Sequence, residues 1–215
     1  NIDKIDEIIE KLENSELSLD ESITEYEKAI KLIKESEKLL EQAEGKIQKV
    51  MEKKKEMVIS VLKGLAIAYE IYEHPPAPTI EEAKKHWKFI EATHCKNIFF
   101  RNHKGNRHYL VIIEHTANLA IHDLEKRLRQ GKLSFASPER MQKYLGISPG
   151  SVSPFGLIND KDNHVHIFLD ENLKTASKIS FHPNINTYSV IIAFKDFIRY
   201  LDWTGNSYEF LQLYD

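Results

Sequence analysis

Three short polar segments hold the residues of this chain best suited to act on a substrate: His94-Cys95-Lys96-Asn97, Gly150-Ser151-Val152-Ser153-Pro154 and Phe181-His182-Pro183-Asn184-Ile185-Asn186-Thr187. The first offers a thiol, an imidazole and an ammonium group. A cysteine beside a histidine suggests a thiolate nucleophile with its base. Neighbours on an extended chain point to opposite faces, however, so Cys95 reads more simply as packing. The second segment is too polar and flexible for a core, and the third sets a histidine between two apolar runs. Each also reads as an ordinary loop, but loops beside a rigid sheet are where sites tend to be built. His164 and His166 would share one strand face and could hold a metal, although a solvated strand pair is the simpler reading. Phosphate-binding and dinucleotide glycine loops, HExxH and paired zinc-type cysteines are all missing from the sequence.

The elements that must position these segments follow a shift in composition. Residues 1–56 are dense in Glu and Lys, with Gly45 as the one glycine and no proline, whereas prolines, aromatics and histidines crowd the chain from His74 onward. That shift predicts two domains, 1–56 and 57–215. Hydrophobic residues make up 41% of the 215 and charged residues 29%, which predicts that most of the chain folds. No apolar run is long enough to cross a bilayer, and the single cysteine fits a reducing compartment; a cytoplasmic protein is expected. A net charge of −3 does not advertise nucleic-acid binding. Any RNA contact must use a local basic patch, Lys84-Lys85-His86-Trp87-Lys88 or Lys126-Arg127-Leu128-Arg129.

In the first domain, Ile2, Ile5, Ile8, Ile9 and Leu12 recur at helical spacing, as do Ile23, Tyr26, Ile30, Ile33, Leu40, Ile47 and Val50. Ser18 and Glu21 have capping-box spacing. A short helix, a turn at 14–18 and a long helix are expected, with too thin a core to stand without a partner. The stretch from Ile5 to Ile47, above all Leu12-Glu13 followed by Leu17-Ser18-Leu19-Asp20-Glu21-Ser22, resembles the small subunit of exodeoxyribonuclease VII. That resemblance implies an antiparallel helical hairpin without catalytic residues that binds the large catalytic subunit. Ala29 and Ser36 depart from the family pattern.

In the second domain, Met57–Leu62 reads as helix ending near Gly64, continuous with the arm because nothing breaks it. A strand at 69–73 follows, stopped by His74-Pro75-Pro76-Ala77-Pro78. Thr79 caps a helix to Lys85. Strands at 97–100 and 107–114 flank a hairpin turn. Helices are expected over 116–130, closed by Gly131, and from Ser137-Pro138-Glu139 to Gly146. Strands at 155–159 and 164–169, a strand at 188–194, a helix to Trp203 and a strand at 209–213 complete an α+β fold with a mixed sheet.

The runs KNIFFRNHKGNRHYLVII, LSFASPERMQKYLGISPGSVSPFGLIND and FHPNINTYSV resemble the free-standing prolyl-tRNA editing domains, of the YbaK/prolyl-tRNA synthetase associated type, from about Gly64 to the C-terminus. The resemblance implies hydrolysis of alanyl-tRNA for proline, with no metal and no cofactor. It implies that Lys96, with Asn97 beside it, holds the terminal adenosine and ester. Gly150, Ser151 and Pro154 belong to a loop whose backbone surrounds the scissile bond, and His182 lies in the substrate pocket. Ile71, Thr79 and Ile80 fall where the amino-acid pocket is lined, although an apolar residue is common at position 79. The implied partners are the 3′ acceptor end of proline tRNA, prolyl-tRNA synthetase and, through 1–56, the exodeoxyribonuclease VII large subunit, with no membrane. In the alternative, the chain is an interaction protein and its editing-type domain a binding or regulatory module.

Overall fold

The computed structural model describes residues 2–13, 18–77, 79–117 and 121–214. The chain divides into two compact units, Asn1–Lys53 and Lys54–Asp215. The first holds helix α1 (Ile2–Glu13) and most of α2 (Leu19–Gly64). Ser18 closes the expected capping box: its backbone N–H donates to Glu21 Oε2 at 2.8 Å and its Oγ accepts from Glu21 N at 3.4 Å. Residues 14–17 of the turn expected at 14–18 lie outside the described residues. With no proline and only Gly45 to weaken it, α2 continues for 46 residues, about 69 Å. Ile8 and Ala29 are buried, while Ile23, Tyr26, Ile33, Leu39, Leu40, Ile47 and Val50 stay exposed.

The second unit is a mixed sheet with helices on both faces. Its strands are β1 (Tyr69–Glu73), β2 (Thr93–Asn102), β3 (His108–Glu114), β4 (Leu133–Phe135), β5 (Val165–Asp170), β6 (Lys178–Phe181), β7 (Tyr188–Ala193) and β8 (Tyr208–Leu211). Its helices are α3 (Ile80–Trp87), α4 (Ile121–Leu128), α5 (Pro138–Leu145) and α6 (Phe194–Thr204). The strand order is β1-β7-β6-β2-β3-β5-β8, with β4 added to β2. One face packs Phe99, Leu110, Ile112 and Ile167 with Val58 and Leu62 of α2, Leu145 of α5 and Phe197, Tyr200 and Leu201 of α6. The other packs Phe100, Tyr109, Val111, Ile113 and Phe168 against Leu124 and Leu128 of α4.

Strand β2 belongs to two sub-sheets. It pairs with β3 along Cys95–Arg101, but on its other edge it meets β6 only at Thr93–His94 and β4 only at Phe100–Asn102. Residues 95–98 therefore have no strand partner on that edge, and the sheet opens there.

Three expectations need revision. Phe155–Asn159 is no strand but part of a 3-10 helix, Pro154–Asn159. Pro154 has no N–H to give a ladder, Ser153 Oγ accepts from Phe155 N, and Gly156 N donates to Ser153 O, closing a three-residue turn. A side chain at 156 would put its Cβ 2.9 Å from Leu145 Cβ. The helix expected over 116–130 spans Ile121–Leu128, with 118–120 outside the described residues. Strands β4 and β6, neither of them anticipated, complete the sheet.

Candidate active site

The opening beside β2 is a cavity of about 280 Å³. Strand β2 lines it with Cys95, Lys96, Asn97 and Ile98; Thr79, Ala83 and Trp87 come from the start and body of α3. Gly150 and Val152 come from the loop after α5, His182 from the loop after β6, and Ala77 from the segment before α3. Five of the residues that the family resemblance implies thus meet around one space: Thr79, Lys96, Asn97, Gly150 and His182. Ser151 and Pro154 are buried next to it without lining it. Ile71 sits on β1 opposite Val190, exposed and away from the cavity. The side chain of Ile80 lies outside the described residues.

Local chemistry fixes each wall. Thr79 and Glu82 form a reciprocal capping box, which sets the start of α3. Thr79, Ala83 and Trp87, each four residues apart, then share one helix face. Trp87 stacks on the buried His94 ring, with centroids 4.3 Å apart and planes 7° apart. Burial holds His94 down to about 4, so it is neutral. Gly150 has φ +79°, a conformation that suits glycine. Beyond it the loop is anchored from below: the Tyr200 hydroxyl donates to the Pro154 carbonyl at 3.1 Å, and Asn184 Nδ2 donates to the Phe155 carbonyl at 3.2 Å.

Lys96 Nζ donates to the Ala117 carbonyl at 2.6 Å. An ammonium has three N–H groups, so two remain for other acceptors. Asn97 Oδ1 is buried without a partner among the described residues. His182 Nδ1 faces the Tyr188 carbonyl at 2.9 Å, and a carbonyl only accepts, so Nδ1 carries the proton and Nε2 is left as an acceptor. Burial lowers the His182 pKa, which keeps the ring neutral. Burial and the Glu114 carboxylate push the Cys95 thiol far above its ordinary value, so the thiolate needed for nucleophilic catalysis does not form.

The two histidines weighed as metal ligands separate. His164 Nε2 pairs with His108 Nδ1 at 2.9 Å, whereas His166 bonds Ser207 Oγ and Glu209. Among the described residues no group of three or more His, Cys, Asp or Glu is placed to hold a metal ion. No described helix is long and apolar enough to cross a membrane.

An α+β domain with this split sheet and a pocket between its loops matches a known family. Residues 74–200 fit the model of the aminoacyl-tRNA editing domain, and residues 1–49 fit that of the exonuclease VII small subunit. The chain belongs to the aminoacyl-tRNA editing domain family and carries an exonuclease VII small-subunit segment at its N-terminal end. It is 37% identical over 163 residues to the Prolyl-tRNA editing protein ProX of Acetoanaerobium sticklandii, covering 74% of this chain and 97% of that protein. Over 55 residues it is 40% identical to the exodeoxyribonuclease 7 small subunit of Clostridium perfringens, covering 26% of this chain and 73% of the relative. A solved structure described as a candidate trans-editing enzyme for prolyl tRNA synthetase shares the fold. Its TM-score is 0.50 at 22% identity, over 66% of this chain and 85% of that one.

Proposed function

We propose that the second domain, taken as residues 57–215, is a deacylase that hydrolyses alanyl-tRNA for proline. The observation that supports this most is the convergence of Lys96, Asn97, Gly150 and His182 on one cavity in a member of the editing family. The editing of prolyl-tRNA named for its relative ProX fits such a substrate. Alanine is smaller than proline, so a synthetase pocket cannot exclude it sterically. Each missing methylene is worth only about 1–3 kcal/mol of discrimination. Hydrolysis at a second site supplies the rest.

In this mechanism water attacks the ester carbonyl, the bond to the terminal ribose oxygen breaks, and free alanine and uncharged tRNA leave. The two unused N–H groups of Lys96 hold the terminal nucleotide and ester. Backbone N–H groups of the 150–154 loop stabilise the developing oxyanion. The Nε2 of neutral His182 accepts from the substrate's α-ammonium group, and Thr79 with Ala83 lines the amino-acid end. Cys95 takes no covalent part. The deciding experiment is deacylation of alanyl- and cysteinyl-tRNA for proline, with prolyl-tRNA as control. Rapid alanine release with proline spared is expected; no release from any of the three overturns the assignment.

A second reading concerns the first domain, taken as residues 1–56. Leu39, Leu40, Ile47 and Val50 are exposed on α2, which favours a docking role toward an exodeoxyribonuclease VII large subunit. Co-purification with that subunit, lost on replacing Leu40 and Ile47 by Asp, is the expected result. The deacylase and docking roles are compatible in one chain, and prolyl-tRNA synthetase is the further partner to test.

A further inference from the structure

Helix α3 and the turn after it carry three exposed lysines and an exposed phenylalanine, in sequence beside the cavity-lining Ala83 and Trp87. Trp87 lines the cavity and is held in plane by His94. Lys84 and Lys88, one helical turn apart, form a stripe next to the cavity-lining face, and Lys85 is exposed beside them. Two residues beyond Trp87 stands Phe89, which at 88% is the most exposed large apolar side chain among the described residues. A span of two residues places its Cα within about 7.6 Å of that of Trp87. Lysines at a helix C-terminus also complement the helix dipole, and a single exposed apolar residue is ordinary. Their combination beside the cavity is what a single-stranded nucleic acid requires: an aromatic face for a base and cations for its phosphates. None of the three lysines has an ion-pair partner among the described residues. The competing basic stretch on α4 is already engaged, with Arg127 donating to the Gln212 carbonyl and Lys126 3.8 Å from Asp123.

The geometry points to α3 and the turn after it as the platform that seats the single-stranded 3′ end of the RNA, with Phe89 stacking a base and Lys84 and Lys88 gripping phosphates. This assignment rests on the deacylase reading, since it concerns the path into the same cavity. It makes Phe89 a positioning residue that acts on binding and takes no part in bond breaking.

The test uses an uncharged RNA minihelix ending in single-stranded ACCA and its blunt-ended counterpart. Trp203→Phe leaves Trp87 as the protein's one tryptophan. The ACCA minihelix is expected to quench its fluorescence, and the blunt one is not. In filter binding with the full chain, Phe89→Ala weakens affinity roughly five- to hundredfold. Phe89→Tyr restores it and Phe89→Leu does not. Removing Lys84 or Lys88 lowers the slope of log affinity against log salt by about 0.7 for each phosphate no longer neutralised. Wild-type affinity and salt slope in Phe89→Ala and Lys84→Ala/Lys88→Ala overturn the platform. Deacylation by the wild-type chain is measured in parallel. If the ACCA end binds as stated and no amino acid is released, the platform holds and the deacylase reading falls. If alanine is released and Phe89→Ala matches wild type in KM and affinity, the platform alone falls.

Discussion

Replacing Tyr200 by Phe isolates the anchor beneath the 150–154 loop. The Tyr200 ring is fully buried and packs edge-on against Phe155 at 5.2 Å, and its hydroxyl donates to the Pro154 carbonyl at 3.1 Å. Burial raises the phenol well above its ordinary pKa, so it stays a donor at any working pH. Phe keeps the ring and removes only that donor, leaving the Pro154 carbonyl without it in a buried setting. A net hydrogen bond contributes about 0.5–1.5 kcal/mol, and an unsatisfied buried group costs about 1–3. The expected destabilisation is therefore about 1–2 kcal/mol, or roughly 2–8 °C in Tm for a domain of this size. Urea and thermal unfolding measure that part. Pro154 also follows directly on Gly150–Ser153, so a slack anchor shifts the loop that we propose faces the ester. Small misplacements of this kind reach about 100-fold in rate; a drop of about tenfold in the single-turnover rate of alanine release is expected. Lost stability with an unchanged rate would refute the positioning role of the anchor. Unchanged stability would refute the contribution of the bond itself.

Lys96→Ala should abolish deacylation while leaving the fold intact, at a cost of about 1–3 kcal/mol for the part-buried Ala117 carbonyl it frees; an unchanged single-turnover rate removes Lys96 from the mechanism. The His182 pKa is lowered, so alanine release should hold through neutral pH and fall only below the ordinary histidine range, as Nε2 gains a proton; a pH–rate profile falling already near 6.5 contradicts this. His94 and His108 are held down to about 4 by burial, so between about pH 6.5 and 4 the unfolded chain binds protons that the folded one refuses. Stability should fall across that window by at most about 1.4 kcal/mol per pH unit for each histidine, and urea midpoints that stay flat from pH 7 to 5 would refute it. Gly156→Ala should destabilise by about 1–3 kcal/mol, because its Cβ meets Leu145 Cβ at 2.9 Å and the Leu145 carbonyl at 3.0 Å; a wild-type Tm would show that the contact relaxes freely.

Local punctuation made much of the fold legible. Ser18 with Glu21, Thr79 before α3, Ser137-Pro138 and Gly146 each mark a helix end where the structure has one. The absence of any breaker between Val50 and Met57 foretold the unbroken α2. Strands of three and four residues, Leu133–Phe135 and Lys178–Phe181, were not legible, because so short a run has no period and exists only through its pairing with β2 and β7. Phe155-Gly156-Leu157-Ile158 misled for a related reason: all four are buried, and a buried apolar run fits strand and helix alike. In the site, Lys96, Asn97, Gly150 and His182 were readable only through their likeness to a family, since each sits in a segment that composition marks as plain loop. Trp87 and Ala83 escaped as cavity residues, though their four-residue steps from Thr79 were there to be read. The pairing of His108 with His164, 56 positions apart, follows from the β3–β5 register and from nothing local.

The burial of Cys95 reaches beyond the question of a nucleophile. Alkylating reagents and peroxides attack a thiolate, and this chain's one sulfhydryl is 8% exposed with its ionisation suppressed. In the closed domain it is therefore withheld from both, and an oxidising episode that inactivates thiol enzymes should leave this pocket chemically unchanged. The same shielding turns Cys95 into a built-in reporter. Its modification should quicken when the sheet around β2 comes apart, so the labelling rate of the unmodified protein reports on opening of the domain.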